Sequence, residues 1–236
     1  MPETILSLEG VHTYLGQHHI LQGVSLSIPA GDAMVLLGRN GAGKSTTLRT
    51  IMGVTPAAKG AIVFNGSPIE KMPPFDIARA GIGFVPEDQA VLYTLTVEEN
   101  FRLAMLKEDE ESFRRQEEVF ELFPDLKRFW KQKAGVLSGG QKQMLAIART
   151  MVNDHKVLLI DEPSKGLAPI LVDQLAEAMN EIKTQTTIVL VEQNFHMAAK
   201  VGSNYYILDD GLVAHSGAMD ALVDDDGLKQ KYLGIS

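Results

Sequence analysis

The chain has 236 residues, 45% of them hydrophobic and 22% charged, which gives a globular balance and enough length for a full core. A net charge of -8 argues against a broad electrostatic grip on nucleic acid, and the absence of cysteine excludes disulfides and thiolate metal sites. The start, MPETILSLEG, shows no basic leader, and the longest apolar runs (AMVLL, VLLI, TIVLV) fall far short of the roughly 20 residues that cross a membrane.

From the first residue, ILSLEGVHTYL and HILQGVSLSI read as β-like stretches divided by a polar GQH turn. AMVLLG (33–38) is a wholly apolar run that enters a glycine loop, with a helix expected from Lys44. Similar runs follow at AIVFNG (61–66), GIGFV (81–85), KVLLI (156–160), TTIVLV (186–191) and YYILDDGLVAHSG (205–217). Runs apolar at every position suit parallel strands covered on both faces, and helical stretches between several of them give an α/β class. Residues 90–150 break the rhythm with helical pattern only: TVEENFRLAML, DEESFRRQEEVFELF, and the stretch after LSGG. Thr96 and Glu99 make a capping box, Pro124 ends the second helix, and the charged stretch 107–118 reads as a solvated helix face. The expected organisation is one domain over 1–236, with a core of 1–89 and 151–236 and a helical insertion at 90–150.

GRNGAGKS places Gly38, Arg39, Asn40, Gly41, Ala42, Gly43, Lys44 and Ser45, followed by Thr46, between a strand and a helix. Glycines let successive N–H groups face one anion, and the helix start adds unpaired donors. Lys44 would reach the β- and γ-phosphates and Ser45 would be a magnesium ligand. KVLLIDEP then delivers Asp161 and Glu162 from the end of a buried strand: Asp161 to hold magnesium through water, Glu162 to polarise the attacking water.

LSGGQ sets Ser138, Gly139, Gly140 and Gln141 at the head of an apolar-faced helix. Phosphate loop, helical insertion, LSGGQ and DEP, in that order, resemble the ATP-binding-cassette (ABC) ATPases over nearly the whole chain. The resemblance implies an ABC ATPase fold: a P-loop core with a mostly parallel sheet, an N-terminal antiparallel β subdomain and a helical subdomain insertion. It also implies that Ser138–Gln141 close over ATP held by a partner subunit, so that two cassettes sandwich two ATP molecules. Ser138 would cap its helix in any case; on this reading capping alone needs neither the glycine pair nor Gln141.

Further positions carry over from the resemblance. Tyr14 falls where an aromatic ring stacks on adenine. Glu87 stands where the family has a glutamine that senses magnesium and water, and Gln193 stands where it has a histidine touching the γ-phosphate. Gln193 can donate a hydrogen bond but cannot become a cation at neutral pH. Ala168 replaces a frequent aspartate, which weakens communication across the dimer. His196 reads as a helix-surface residue rather than a substitute for the histidine.

VPE, LSGGQ-x-QMLAIAR, DEPS-x-GLAPI, VEQN and YLG together resemble the smaller ATPase subunit of branched-chain amino acid importers. Relatives of that group import urea and short amides. The segment after VPE departs from it, reading DQAVLY where a basic stretch is usual, at the loop that contacts the membrane partner. The resemblance implies ATP and Mg2+, transmembrane permease subunits, a second ABC ATPase subunit (a copy or a relative) and, indirectly, a solute-binding protein. It implies a peripheral place on the cytoplasmic face of the membrane and no nucleic acid partner. A clamp acting on DNA or ribosomes would bring two cassettes or long coiled-coil inserts, and Glu162 argues against a purely regulatory cassette.

Overall fold

The computed structural model describes residues 3–235. β1 (Thr4–Leu15) and β2 (His18–Pro29) form an antiparallel hairpin whose side chains alternate between core and solvent. β3 (Ala33–Leu37) has all five residues buried and leads through the glycine loop into α1 (Lys44–Ile51). β4 (Lys59–Phe64), β5 (Ser67–Pro68), α2 (Pro74–Ala80) and β6 (Ile82–Val85) follow. Helices then run uninterrupted by a named strand: α3 (Val97–Ala104), α4 (Glu110–Leu122), α5 (Pro124–Arg128) and α6 (Gly139–Met151). The chain returns through β7 (Val157–Asp161), α7 (Pro169–Ile182), β8 (Thr187–Val191), α8 (Phe195–Val201), β9 (Asn204–Asp209), β10 (Leu212–Ala218) and α9 (Met219–Val223). A short turn at Asp226–Leu228 and a π-helical turn at Lys229–Leu233 close it.

Two sheets result. One has the order β2-β1-β4-β5 and is antiparallel; the other has the order β10-β9-β3-β8-β7-β6 and is parallel except for its β9-β10 edge. β7 and β8, like β3, are buried at every position, because helices and the second sheet cover both faces. The mostly parallel α/β architecture with an antiparallel N-terminal sheet is the expected one. One apolar run departs from the parallel expectation along its whole length and another in its second half. AIVFNG belongs to the antiparallel sheet, where Ile62 and Phe64 are buried and Ala61 and Val63 only partly so. Its Asn65-Gly66, at φ 49° and 76°, is a tight hairpin turn that asks for positive φ at both residues. YYILDDGLVAHSG splits at Asp210-Gly211: its first half, β9, runs parallel to β3 as expected, and its second half, β10, turns back antiparallel along β9.

The helical stretch shares its core with the sheet. Val97, Phe101, Val119, Phe120 and Leu126 join one buried cluster with Leu145 and Ile147 of α6 and with Val35 and Leu37 of β3. A second cluster fills the space between the sheets, where Leu48 and Ile51 of α1 meet Leu6, Leu26, Ile62 and Val189. Thr96 and Glu99 exchange both bonds of a capping box at α3. On α4 the exposed charges pair along the helix, Arg114 with Glu111 and Glu118, as solvated faces do. Pro124 does more than stop α4: it takes the first position of α5, where its missing N–H costs nothing. Among the described residues no helix is long and apolar enough to cross a membrane.

Candidate nucleotide site

The C-terminal ends of β3, β6, β7 and β8 meet at one edge of the parallel sheet, the place where open α/β sheets bind ligands. At the end of β3, Gly38 adopts φ 139° and a Cβ there would lie 2.2 Å from the Leu208 carbonyl oxygen. Gly43 adopts φ 102° and a Cβ would press on Leu21 of the hairpin at 2.9 Å. Only glycine fits these two positions, so the loop is packed tightly between β9 and the β1-β2 hairpin. Lys44 is buried and its ammonium curls back over the loop, donating to the carbonyls of Gly38 at 2.8 Å and Arg39 at 3.0 Å. Burial holds it below the usual lysine range against the opposing charges of Glu162, Asp161 and Glu192.

The carboxylates sit opposite. Ser45 Oγ donates to Asp161 Oδ1 at 2.9 Å, while Asp161 Oδ2 is buried with no hydrogen-bond partner among the described residues. Burial pushes this carboxyl up to about 6; the Glu162 and Glu87 charges add to the rise and the Ser45 hydrogen bond opposes it. A buried acidic oxygen without a donor, beside a serine hydroxyl, is a donor set that suits a hard cation. Glu162 leaves β7 with φ 45°, a conformation costing about 1–3 kcal/mol in a non-glycine residue. That kink turns its side chain to Gln193 at the end of β8, whose Nε2 donates to Glu162 Oε1. Glu87, after β6, pairs with Lys165, whose ammonium also lies 3.9 Å from Glu162 Oε2. One cleft collects Asn40, Gly41, Gly43, Lys44, Ser45, Thr46, Glu87, Glu162 and Gln193.

Ser138–Gln141 are not among the residues lining that cleft. They open α6, with Ser138 and Gly139 exposed. Contrary to the sequence reading, capping does use Gln141: its side chain accepts from the Ser138 N–H at 3.0 Å while its own N–H donates to Ser138 Oγ at 3.3 Å. Gln141 Nε2 also donates to Asp125 at 3.1 Å, tying α6 to α5. Gly139 remains without a local duty, because a Cβ there would meet nothing within 4 Å.

The family model described as ABC transporter matches residues 21–165, more than half of the chain. The chain belongs to the ABC transporter family. It is 40% identical over 232 residues, covering 98% of this chain and 100% of the other, to the high-affinity branched-chain amino acid transport ATP-binding protein BraG of Pseudomonas aeruginosa. Its fold matches a nucleotide-free ATP-binding cassette from an ABC transporter at TM-score 0.86, with 25% identity over 99% of this chain and 100% of that one. It also matches the dimeric post-hydrolysis state of the ATP-binding cassette MJ0796 bound to ADP and Pi, at TM-score 0.79 and 25% identity over 91% of this chain and 98% of that one.

In this ABC cassette the hairpin brings two further residues to the cleft beside the expected Tyr14. The Tyr14 ring does not line the cleft; it stacks on His19 with centroids 4.3 Å apart. Strand alternation explains it: Thr13 is buried and bonds Thr50 of α1 at 3.1 Å, so Leu15, two residues on, shares its face while Tyr14 points away. The register jumps from Thr13↔Leu21 to Tyr14↔His19, leaving Ile20 as an extra residue on β2, and Leu15 and Ile20 together form the cleft's hairpin wall. We expect Tyr14→Ala to leave the dissociation constant of a fluorescent ATP analogue within about two-fold, and Leu15→Asp to raise it about ten-fold, since one buried aliphatic side chain contributes on the order of 1.5 kcal/mol or more. The opposite ranking would make Tyr14 the base platform.

The remaining departures have plain local consequences. Ala168 stands at the N-cap of α7 and offers no side-chain oxygen to its first turn. His196 is exposed and bonds Asp173 at 2.9 Å on a helix surface. Sequence reasoning missed Leu15, Lys165 and Glu192. Glu192 was legible in one respect, as a charge directly after four apolar strand residues.

Proposed function

We propose that this ABC ATPase energises import of branched-chain amino acids, hydrolysing ATP held between its own phosphate loop and Ser138–Gln141 of a second cassette. One observation carries the reading: the cleft brings phosphate loop, carboxylates and Gln193 together and leaves the LSGGQ segment outside, on a surface free to meet another subunit. The N–H groups from Gly41 to Thr46, with Arg39, Asn40 and Ala42 shaping the loop, would cradle the phosphates, and Lys44 would turn from its loop carbonyls to the β- and γ-oxygens. Ser45 and Asp161 would hold magnesium, with Glu87 near it; when bound, the ion screens charge on the transferred phosphoryl group. Glu162 accepts the proton of the attacking water, and Gln193 fixes the orientation of that carboxylate by its amide bond.

The solute class is taken from the relative that is 40% identical, a branched-chain amino acid transport ATP-binding protein. The permease partner has a surface suited to it. Ala78, Phe84, Ala90, Leu92, Leu103 and Leu106 line a groove between the sheet edge and α3, and Leu92, Leu103 and Leu106 are 44%, 66% and 53% exposed. Apolar side chains so exposed mark a docking face, here for a helical element of the membrane subunits on the cytoplasmic side. The chain DQAVLY at its rim enters through left-handed Gln89 and Ala90, and Arg149 holds the Gln89 carbonyl at 3.1 Å. In a strain lacking the chain, labelled leucine uptake is expected to return with the wild type. With Leu103→Glu it is expected to fall about ten-fold or more as the chain leaves the membrane fraction, while ATP turnover of the purified protein stays within about two-fold. Uptake of urea instead of leucine, or membrane retention of the variant, would reject the reading.

A further inference from the structure

The ends of β7 and β8 are joined by a side chain that has no place in the chemistry so far. Glu192 is 2% exposed and sits one residue before Gln193. Its Oε1 accepts from the Ser164 N–H at 2.9 Å. Its Oε2 accepts from Ser164 Oγ at 2.9 Å and from the N–H groups of Gln193 and Asn194, both at 3.1 Å. Four donors converge on one carboxylate, two from the segment following Glu162 and two from the segment carrying Gln193. The Glu192 N–H also faces the Leu36 carbonyl of β3, the strand that leads into the phosphate loop.

A buried carboxylate is an expensive way to satisfy four donors, and a strand end has cheaper ones available, such as water or a hydroxyl. What the carboxylate adds is a rigid two-sided anchor. Ser164 lies two residues beyond Glu162, whose φ of 45° needs support from its surroundings to persist. The Lys165 N–H returns to the Glu162 carbonyl at 3.2 Å, so the turn that holds this strained residue is the same turn pinned by Glu192. On the other side the pinned backbone is that of Gln193 itself. The contact between Glu162 and Gln193 thus depends on two loops hung from a third residue behind them.

We propose that Glu192 is a positioning residue for ATP hydrolysis, a clasp that sets the catalytic carboxylate and the γ-phosphate switch in one register through Ser164, Gln193 and Asn194. The inference rests on the roles assigned above to Glu162 and Gln193. Glu192 is not among the residues lining the nucleotide cleft, so its removal is expected to act on the chemical step and not on the grip on ATP.

Glu192→Gln keeps the shape and withdraws one acceptor oxygen. The expected result is a fall in kcat of about ten-fold or more, with the affinity for a fluorescent ATP analogue and the KM for ATP changed less than about two-fold. Ser164→Ala, which leaves the carboxylate and three of its donors in place, is expected to lower kcat about three-fold with the same split, and it carries the test if Glu192→Gln does not fold. The double variant is expected to turn over no more slowly than Glu192→Gln by more than about two-fold, because both changes open the same clasp. Turnover near the wild-type value in either variant, loss of affinity in step with kcat, or multiplying effects in the double variant would each overturn the proposal. Glu162→Gln serves as the control that separates the two levels. Lost turnover there with normal turnover in Glu192→Gln removes the clasp alone, whereas retained turnover in Glu162→Gln removes the reading beneath it.

Discussion

Glu162→Gln is expected to cut steady-state ATP hydrolysis about a thousand-fold, within the range of a lost general base, while ATP still binds. The substitution is nearly isosteric. A carboxamide oxygen can accept from Gln193 Nε2 as the carboxylate does, so the strained turn at φ 45° and the adjoining strand ends stay in place. What disappears is the capacity to take a proton from water. With hydrolysis blocked, ATP persists in the cleft, and its γ-phosphate stays available to Ser138–Gln141 of another copy. Each charge-assisted hydrogen bond there contributes about 1.5–3 kcal/mol, and immobilising two proteins costs about 4–15 kcal/mol, so a handful of such bonds tips association only while ATP is present. Sedimentation of the variant is expected to show monomers without nucleotide and dimers with ATP. Phosphate release within ten-fold of the wild type, or a mass indifferent to ATP, would contradict the sandwich.

Gly139→Asp is expected to lower turnover about a hundred-fold with no loss of thermal stability and no loss of ATP affinity. The separation is built into the geometry. A Cβ at Gly139 would meet nothing within 4 Å, and an acidic residue in the first turn of α6 is compatible with the helix dipole. Nothing in the protomer therefore opposes the change; only a phosphate brought by a partner does. Gly140 gives no such clean result, because a Cβ there would lie 2.7 Å from Leu171 Cδ1 and disturb the packing of α7. The decisive measurement mixes two inactive proteins. A dimer of Gly139→Asp with Lys44→Ala keeps one intact site, formed by the phosphate loop of the first and the LSGGQ segment of the second. Random pairing of copies is then expected to restore about a quarter of wild-type turnover, and no recovery would mean that the two segments do not work in trans.

Much of this site is readable from residue order, for a physical reason. A strand covered on both faces must be apolar throughout, so AMVLL, KVLLI and TTIVLV announce themselves, and the polar residues just beyond them mark one edge of the sheet. Lys44, Ser45, Asp161, Glu162 and Gln193 all meet there. AIVFNG departs from the expectation because four consecutive apolar residues read alike on a half-covered strand, although Asn65-Gly66 signals the hairpin. Tyr14 and Leu15 take opposite faces of β1, and which one meets the cleft is set by the packing of Thr13 against α1, a contact that residue order does not reveal. Lys165 and Glu192 escaped for a different reason. Their partners lie 78 and 28 positions away in sequence, and such pairings exist only once the strand ends are brought together.

The aliphatic hairpin wall carries a consequence for fuel choice. Leucine and isoleucine hold a flat ring by area alone and present no group that reads its edge. Any preference between adenine and guanine would therefore have to come from groups other than Leu15 and Ile20.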